Sequence, residues 1–469
     1  MEQGEAGMTT TQIDDFATAG DLVAALAARE VSAVELADAA IARIERLDGP
    51  INAVVVRDFD RAREAAKAAD QALARGDRAP LLGVPMTVKE AHNVAGLPTT
   101  WGAPMFKDWI APADSIGVAR LKAAGAVILG KTNVPPFLSD WQSNNPIYGR
   151  TCNPWDLGRS PGGSSGGSSA ALAAGMVPLE FGSDIGGSIR IPSAFCGLYG
   201  HKPSHDLIPQ RGHAPPGLDG AGIPLGVIGP MARCAADLDL ALGVLAGPPP
   251  EEAAGYRLAL APARQTRLAD YRVLMLTQHP LAPVDDEITA ALDGLAAKLE
   301  AAGAKVARQS PLLPDLAATY GFYMTMLGAL MAPPGATSGP GAIPVGAWLQ
   351  AVHAQGATRR AWAGLFETVD VVIAPVLGVV AFQHDDSPDM QARTLTINGQ
   401  PSPYFGQLAW PGMAVFANLP ATAAPIGQTK AGLPIGAQII GPYLEDRTTI
   451  GFAGLLEREF GGFKRPPGY

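Results

Sequence analysis

The feature that most constrains the fold is a repeated helix-then-strand pattern with short strands that are apolar on both faces. The strand segments are LLGVPMTVKE (81–90), AVILG (126–130), DVVIAP (370–375) and GLPIGAQIIG (432–441). Apolar runs of this length are typical of strands buried on both sides, and their alternation with helices is typical of parallel sheets. We therefore predict an α/β fold with a large mixed, mostly parallel β-sheet covered by α-helices on both faces.

A glycine- and serine-rich stretch, SPGGSSGGSSAALAAG at 160–175, is the most unusual local feature. A flexible linker would lack its apolar flank, because the stretch continues into a small-residue helix and a strand. A phosphate-binding loop would need a lysine after its glycines, and none follows. Residues 162–166 also match the G-x-S-x-G turn of α/β-hydrolases, which requires a later histidine. No neighbouring pattern singles out one of the candidates: His201, His205, His213, His279, His353 and His384.

A second small-residue loop, GSDIGGSIRIPS, follows at 182–193. Two such loops in succession indicate backbone that approaches a ligand, because glycine permits close contact and positive φ. Four successive amides can converge on one anion, as an oxyanion hole requires: those of Ile185, Gly186, Gly187 and Ser188. Upstream, Lys89 ends an apolar strand. Its amine either reaches solvent or is buried and neutral, and the residues alone leave both alternatives open.

Composition argues against several classes of partner. The 469-residue chain has a formal net charge of -9 and no lysine or arginine block, so we expect no nucleic-acid partner. The longest apolar run, 371–382, falls short of the ~20 residues of a membrane-spanning helix, and no signal peptide is visible. Cys152, Cys196 and Cys234 lack C-x-x-C spacing and fit a reducing compartment. We expect a soluble cytoplasmic protein, and no cluster with metal-ligand spacing is present.

Three blocks carry a likeness to known proteins: VPMTVKE around Lys89, SPGGSSGGSSA around Ser164, and GSDIGGSIRIPSAFCGLYGHKPS around Ser188. In this order they resemble the amidase signature family, and NPIYGRTCNPWD, GPMARCAADL and GLPIGAQIIG are also similar to its patterns. The resemblance covers nearly the whole chain and is weakest between about 245 and 365. It implies one domain over residues 1–469, with N-terminal helices at about 10–75, a signature core at about 80–245, a variable substrate region and lid at about 310–365, and C-terminal strands and a helix at about 366–469.

The resemblance implies a Ser–cis-Ser–Lys triad without histidine, metal or cofactor. Carried over by position, Ser188 is the nucleophile, Ser164 is the bridging serine after a cis bond from Gly163, and Lys89 is the base. The four amides named above hold the oxyanion. A lysine, with a usual pKa of about 10.4, must lose roughly three pKa units, or ~4 kcal/mol, to act as a base near neutral pH. The apolar strand around Lys89 offers such a setting.

Further roles are implied for neighbours of the triad. Ser165 is expected to add a hydrogen bond near Lys89. Asp184 and Arg190 flank the nucleophile loop and are expected to brace it, and the alternative is that they are plain surface charges. His201 stands where the family usually has a hydrophobic residue, and we expect it to pack in the core.

Two segments are predicted to line the substrate pocket. In PPFLSDWQSNNP (135–146), Phe137, Leu138 and Trp141 offer apolar contacts, and YGFYMTMLGALM (320–331) contributes Tyr323 and Met326. The glycine- and proline-rich loop at 332–346 would then act as a lid. A core helix followed by an ordinary surface loop is an equally open interpretation.

The expected activity is hydrolysis of the C–N bond of small amides through an acyl-enzyme on Ser188, with water as the second substrate. An apolar pocket favours aryl or alkyl amides, with carbamates and esters as related carbonyl substrates. In its overall pattern the chain also resembles bacterial aryl-acylamidases and urethanases, which implies the same substrates. One alternative is the glutaminase component of a tRNA-dependent amidotransferase. A non-catalytic binding homologue is the other, and intact Lys89, Ser164 and Ser188 argue against it. By analogy with the family, we expect a homodimer.

Overall fold

The computed structural model describes residues 14–218, 222–332, 339 and 341–469. Within them the strands are β1 (Val54–Arg57), β2 (Pro85–Lys89), β3 (Val127–Thr132), β4 (Asn144–Asn145), β5 (Gly149–Arg150), β6 (Leu179–Asp184), β7 (Tyr199–Lys202), β8 (Val227–Ala232), β9 (Arg272–Met275), β10 (Lys305–Ala307), β11 (Val371–Pro375), β12 (Thr394–Ile397), β13 (Gln400–Pro403), β14 (Ala421–Gln428) and β15 (Pro434–Ile440). The helices are α1 (Ala19–Ala28), α2 (Ala33–Ile51), α3 (Phe59–Arg75), α4 (Ile116–Ala123), α5 (Gly166–Ala173), α6 (Arg190–Cys196), α7 (Ala235–Leu245), α8 (Asp286–Ala301), α9 (Leu316–Met331), α10 (Val345–Leu365), α11 (Ala409–Phe416) and α12 (Asp446–Phe460).

An eleven-stranded sheet forms the centre of the fold, in the order β1-β3-β2-β6-β8-β7-β14-β15-β11-β9-β10. Strands β2, β3, β6, β8 and β11 are buried at every residue. Because successive side chains of a strand point to opposite faces, both faces of the sheet are covered along these strands. The predicted α/β fold with a large mixed sheet is confirmed.

The balance of strand directions differs from the prediction of a mostly parallel sheet. Strand β2 runs parallel to β3 and β6, and β9 runs parallel to β10 and β11. The other six neighbouring pairs in this sheet are antiparallel. A strand buried on both faces is apolar throughout, whichever way its neighbours run. The sequence pattern therefore reports burial and carries no information on direction.

The helix starts follow local capping chemistry. The Ser32 hydroxyl accepts from the Glu35 amide at 3.1 Å while the Glu35 carboxylate accepts from the Ser32 amide at 2.8 Å, which forms a capping box at the start of α2. Ser115 caps α4 in the same way through the Val118 amide, at 3.2 Å. The N-terminal region, predicted to be helical over about 10–75, holds α1, α2 and α3 and also the short strand β1.

Adjacent parallel strands bring the predicted site together. Val88 in β2 lies opposite Phe181 in β6, so the two strands end at the same edge of the sheet, one at Lys89 and the other at Asp184. Helix α5 begins at Gly166, inside the glycine- and serine-rich stretch, and packs on both strands. Helix α6 begins at Arg190, inside the second small-residue segment.

The variable region forms two helices, α9 and α10, which pack on each other, and α9 also packs on α11. Seven of the fifteen residues of the loop predicted to act as a lid, 332–346, lie outside the described residues, namely 333–338 and 340. No helix in the described ranges combines the length and apolar character needed to cross a membrane.

Candidate active site

Lys89 is buried at the carboxyl end of β2. Its side chain is 0% exposed, which excludes the alternative of an amine that reaches solvent. The Nζ donates to the Ser164 Oγ at 2.6 Å and to the Ser183 Oγ at 2.9 Å. Burial holds the pKa of Lys89 well below its ordinary value, although the carboxylates of Asp184 and Glu180 act in the opposite direction. The strand thus places an amine that readily loses its charge within hydrogen-bond distance of two hydroxyl groups.

Ser164 follows a cis peptide bond from Gly163, as the resemblance implied. A side chain at position 163 would not fit, because a Cβ there would lie 2.5 Å from the Asp140 carbonyl oxygen. The Ser165 hydroxyl does not hydrogen-bond to Lys89 itself. It instead bonds the main chain of Ser183, donating to the carbonyl and accepting from the amide at 3.4 Å each.

The second hydroxyl partner of Lys89 is therefore Ser183, which the sequence interpretation missed. Ser183 is the penultimate residue of β6, within the quoted GSDIGGS motif. Its place in a strand parallel to β2 explains the contact, since side chains near the ends of adjacent parallel strands are close in space. That neighbour relation is not visible in the sequence.

Asp184 and Arg190 form a buried ion pair with both side chains 0% exposed, so they are not surface charges. Arg190 donates through Nε to Oδ2 and through Nη2 to Oδ1, each at 3.0 Å. The same carboxylate accepts from the amides of Gly187 at 2.8 Å and Ile189 at 3.2 Å. Burial would raise the pKa of Asp184, but the Arg190 guanidinium, the Lys202 charge and the Gly187 amide together lower it below its ordinary value. These contacts hold the loop that carries Ser188 in one conformation.

Ser188 follows Gly187 in the loop that Asp184 and Arg190 hold, and this loop contacts the loop that carries Ser164. Its side chain is 5% exposed, and its carbonyl accepts from the Ser165 amide at 3.2 Å. The two loops therefore touch directly beside Ser164 and Ser188.

One of the four amides predicted for the oxyanion hole is not available. The Gly187 amide donates to the Asp184 carboxylate, so it cannot also serve an oxyanion. The amides of Ile185, Gly186 and Ser188 have no acceptor among the described residues. The Gly187 amide bonds to Asp184 because Gly187 adopts the left-handed conformation, φ 94°, which turns the loop back towards its own strand.

A cavity of about 260 Å³ adjoins Ser188. Leu138, Ser139, Asp140, Trp141, Ile185, Gly186, Met324, Leu327, Gly328, Met331, Met390, Gln391, Phe405 and Leu408 form the rest of its wall. Asp140 is the charged residue in this wall, and its carboxylate accepts at 2.7 Å from the Arg393 guanidinium and from the Tyr404 hydroxyl. The wall is otherwise mainly apolar.

Of the five residues predicted to line a substrate pocket, Leu138 and Trp141 line this cavity, and Phe137, Tyr323 and Met326 do not. Phe137 is 43% exposed and packs edge-on against Phe106. Tyr323 and Met326 are 0% exposed, on the face of α9 that enters the core. The neighbouring face of α9 supplies Met324, Leu327, Gly328 and Met331 to the cavity. An apolar helix such as this carries no sequence signal for which face meets which neighbour.

His92, His201 and His213 are buried in the fold. His201 is buried, with its ring nitrogens 2.9 Å from the Thr422 hydroxyl and 3.0 Å from the Asp446 carboxylate, so it packs in the core as expected. His92 and His213 are buried near Lys89, with ring centroids 4.7 Å apart. Burial lowers the pKa of both, and the neighbouring cations lower it further.

The cysteines are unpaired and poorly suited to nucleophilic attack. Burial raises the pKa of Cys196 to about 12, which keeps it a thiol. In the described ranges, no three histidine, cysteine or acidic side chains converge as a metal site would require.

Comparison with known proteins agrees with this geometry. The family model described as Amidase matches residues 35–332 and 345–450. The putative amidase AmiB2 of Mycobacterium tuberculosis is 36% identical, over 94% of this chain and 96% of its own length. The glutamyl-tRNA(Gln) amidotransferase of Anaeromyxobacter sp. strain K has a subunit that is 32% identical, over 95% of this chain and 96% of its own length. The crystal structure of a bacterial aryl acylamidase of the amidase signature family superposes with a TM-score of 0.80 at 27% identity, covering 95% of this chain and 96% of that one. The chain therefore belongs to the amidase signature family and is a hydrolase of the amidase type.

Proposed function

We propose that the protein hydrolyses small uncharged amides by acylation of Ser188. The observation that carries this proposal is the fully buried Lys89 amine, 2.6 Å from the Ser164 hydroxyl, on a loop that touches Ser188. A serine hydroxyl is a weak nucleophile and needs an adjacent base. A lysine deprived of water supplies one, since its neutral form is favoured there.

In the proposed acylation, the Ser188 Oγ attacks the substrate carbonyl carbon. Its proton passes to the Ser164 Oγ, and the proton of Ser164 passes to the Lys89 Nζ. The tetrahedral intermediate then expels the amine, which receives a proton from Ser164 while Lys89 returns one to Ser164. Water attacks the resulting ester in the same manner, releasing the acid and restoring Ser188. Amides of Gly186 and Ser188 would stabilise the oxyanion in both halves.

The cavity wall is suited to an aryl or alkyl acyl group. Carbamates, urethanes and esters of the same shape are proposed as further substrates. The side chains of the wall are mainly apolar, and its charged residue, Asp140, is already paired with Arg393. The likeness to the amidotransferase makes a glutaminase the competing function. Free glutamine carries an ammonium and a carboxylate, and the wall offers no unpaired charge to either. We also propose that the protein works in the cytoplasm, where its cysteines stay reduced, and that it forms a homodimer.

The test is to treat the purified chain with a fluorophosphonate and to map the adduct by mass spectrometry, alongside turnover of an apolar p-nitroanilide. We expect one modified serine, Ser188, and turnover without any partner. The variants Ser188→Ala and Lys89→Ala should lose turnover and keep the native circular dichroism spectrum. An adduct on another serine, or near-native turnover by Ser188→Ala, would refute the assignment. If glutamine were the one substrate hydrolysed, and only in the presence of a partner protein, the glutaminase function would be favoured.

A further inference from the structure

Two buried side chains from outside the nucleophile loop donate hydrogen bonds to its carbonyl oxygens. The Tyr323 hydroxyl donates to the Ile185 carbonyl at 2.9 Å, and the Trp141 indole Nε1 donates to the Gly186 carbonyl at 3.1 Å. Tyr323 is 0% and Trp141 4% exposed. Both lie far in sequence from the loop that they contact.

Each of these contacts fixes the direction of an amide. A trans peptide is planar, and its C=O and N–H point in opposite directions. The bond from Tyr323 to the Ile185 carbonyl therefore sets the direction of the Gly186 N–H. The bond from Trp141 to the Gly186 carbonyl sets that of the Gly187 N–H, which donates to Asp184 at its other end. The Gly186–Gly187 peptide is thus held at both ends, and the Ile185–Gly186 peptide before it is held at its oxygen with its N–H free.

The free N–H is on the side of the cavity. Ile185, Gly186 and Ser188 line the cavity, whereas Gly187 does not. Tyr323 reaches the Ile185 carbonyl from the protein core, so the opposite end of that peptide, the Gly186 N–H, faces away from the core. An N–H whose peptide carbonyl accepts a hydrogen bond is also polarised into a stronger donor.

We infer that Tyr323 is a positioning residue of the oxyanion hole, whose hydroxyl holds the Ile185–Gly186 peptide with the Gly186 amide towards the oxyanion, and that Trp141 supports it by fixing the adjoining Gly186–Gly187 peptide. The inference rests on the proposed function, because the oxyanion forms only if Ser188 is acylated. Catalysis by such a donor depends on its being oriented before the charge develops. The loop carries two glycines that permit other peptide orientations, so the orientation must come from elsewhere in the fold.

The test is Tyr323→Phe, which keeps the ring and removes the hydroxyl. Losing an oxyanion donor outright costs about 10²–10³ in kcat, and a donor that is present but not held should cost roughly tenfold. We expect that fall in kcat with an unchanged KM for an apolar p-nitroanilide. The Ki of a trifluoromethyl ketone, which forms a tetrahedral oxyanion on the serine, should weaken by the same factor.

The matched control is Tyr271→Phe. Tyr271 is equally buried, and its hydroxyl also donates to a backbone carbonyl, that of Gln265 at 3.2 Å, away from the cavity. It should lose thermal stability without losing kcat or ketone affinity. Trp141→Phe provides a second route should Tyr323→Phe not fold, with the same link expected between kcat and the ketone Ki.

The inference is overturned by a Tyr323→Phe enzyme whose kcat stays within twofold of the wild type. It is equally overturned if kcat falls while the ketone Ki does not, since the hydroxyl would then act in another way. Neither result touches the proposed function, which fails only if Ser188→Ala keeps its turnover.

Discussion

At the scale of single residues, the site depends on an amine that the fold keeps neutral against nearby negative charge. Asp184 and Glu180 both favour the charged form of Lys89, and burial outweighs them. The folded state therefore bears the cost of releasing a proton that the unfolded chain keeps. A residue selected for catalysis is in this way a local source of instability.

Replacing Lys89 by methionine should stabilise the protein while abolishing turnover. Between the lowered pKa of folded Lys89 and its ordinary value of about 10.4, the unfolded chain binds one more proton, so wild-type stability rises with pH across that window. Lys89→Met lacks this dependence. It should be more stable near pH 7 by roughly 1–2 kcal/mol, with the gain shrinking towards pH 10. Urea unfolding at both pH values measures this.

The matched control is Lys305→Met, which changes an exposed lysine on β10 and should alter stability little at either pH. A Lys89→Met protein less stable than the wild type at pH 7 would contradict the account. So would a gain that is the same at pH 7 and pH 10.

Glu180 offers a second residue-scale prediction, with the opposite dependence on pH. Burial raises its pKa to about 7, although the Thr87 hydroxyl and the Phe181 amide donate to the carboxylate. Between about 4.5 and 7 the folded protein holds a proton that the unfolded chain has lost, so stability falls as pH rises through that window. Glu180→Gln imitates the protonated acid. It should exceed the wild type by up to about 3 kcal/mol at pH 8 and match it at about pH 4.5. Thermal unfolding that shows equal differences at both pH values would refute this.

At the scale of elements, the cavity wall is assembled from segments that a buried ion pair ties together. Asp140, in the 138–141 segment, accepts from Arg393 at 2.7 Å, and the two side chains are 11% and 8% exposed. Met390 and Gln391, close to Arg393 in sequence, line the same cavity. The pair therefore neutralises the charged residue of the wall and joins two of its segments.

Arg393→Gln should shift the preference of the enzyme towards cationic acyl groups. Removing one partner of a buried pair leaves the Asp140 carboxylate unpaired, at a cost of about 3–5 kcal/mol in stability. A substrate ammonium can then replace the guanidinium. We expect the ratio of kcat/KM for 5-aminopentanoyl over pentanoyl p-nitroanilide to rise at least tenfold, measured well below the unfolding temperature. The double variant Asp140→Asn/Arg393→Gln should restore the original ratio. An unchanged ratio in the single variant would show that Asp140 does not sense the acyl group.

The sequence predicts elements well where the signal is local, and fails where it depends on tertiary neighbours. The capping box at Ser32, the buried strand at Lys89 and the small-residue loops all follow from nearby residues. The directions of the strands, the partner of Ser165 and the face of α9 towards the cavity do not, because each depends on segments distant in sequence. The Gly187 amide failed as a predicted oxyanion donor for the same reason, since the turn of its loop decides its acceptor.

At the scale of the whole molecule, the last strands complete the sheet beside the site. In the strand order, β14 and β15 separate β7 from β11, so they join the strands that carry Lys89 and Ser183 to those of the second half. From β15, the Gln438 side chain accepts from Arg190 and donates at 2.9 Å to the carbonyls of Pro375 and Trp410. Arg190, which holds the nucleophile loop through Asp184, is thus itself held by a strand about 250 residues further along the chain.

A chain that ends at Pro420 should therefore lose the site together with the fold. It lacks β14, β15 and α12, which exposes the inner edges of β7 and β11 and leaves Arg190 without Gln438. Unpaired strand edges of this kind favour aggregation, and a missing central strand removes the core on both of its faces. We expect no cooperative urea transition and no fluorophosphonate adduct on Ser188. A chain that ends at Gly461, directly after α12, should keep both properties at somewhat lower stability, since it loses only the contacts of the last residues, such as the stacking of Phe463 on Phe16. Labelling of the shorter chain at the wild-type rate would mean that the nucleophile loop is held locally, and that the C-terminal strands serve stability alone.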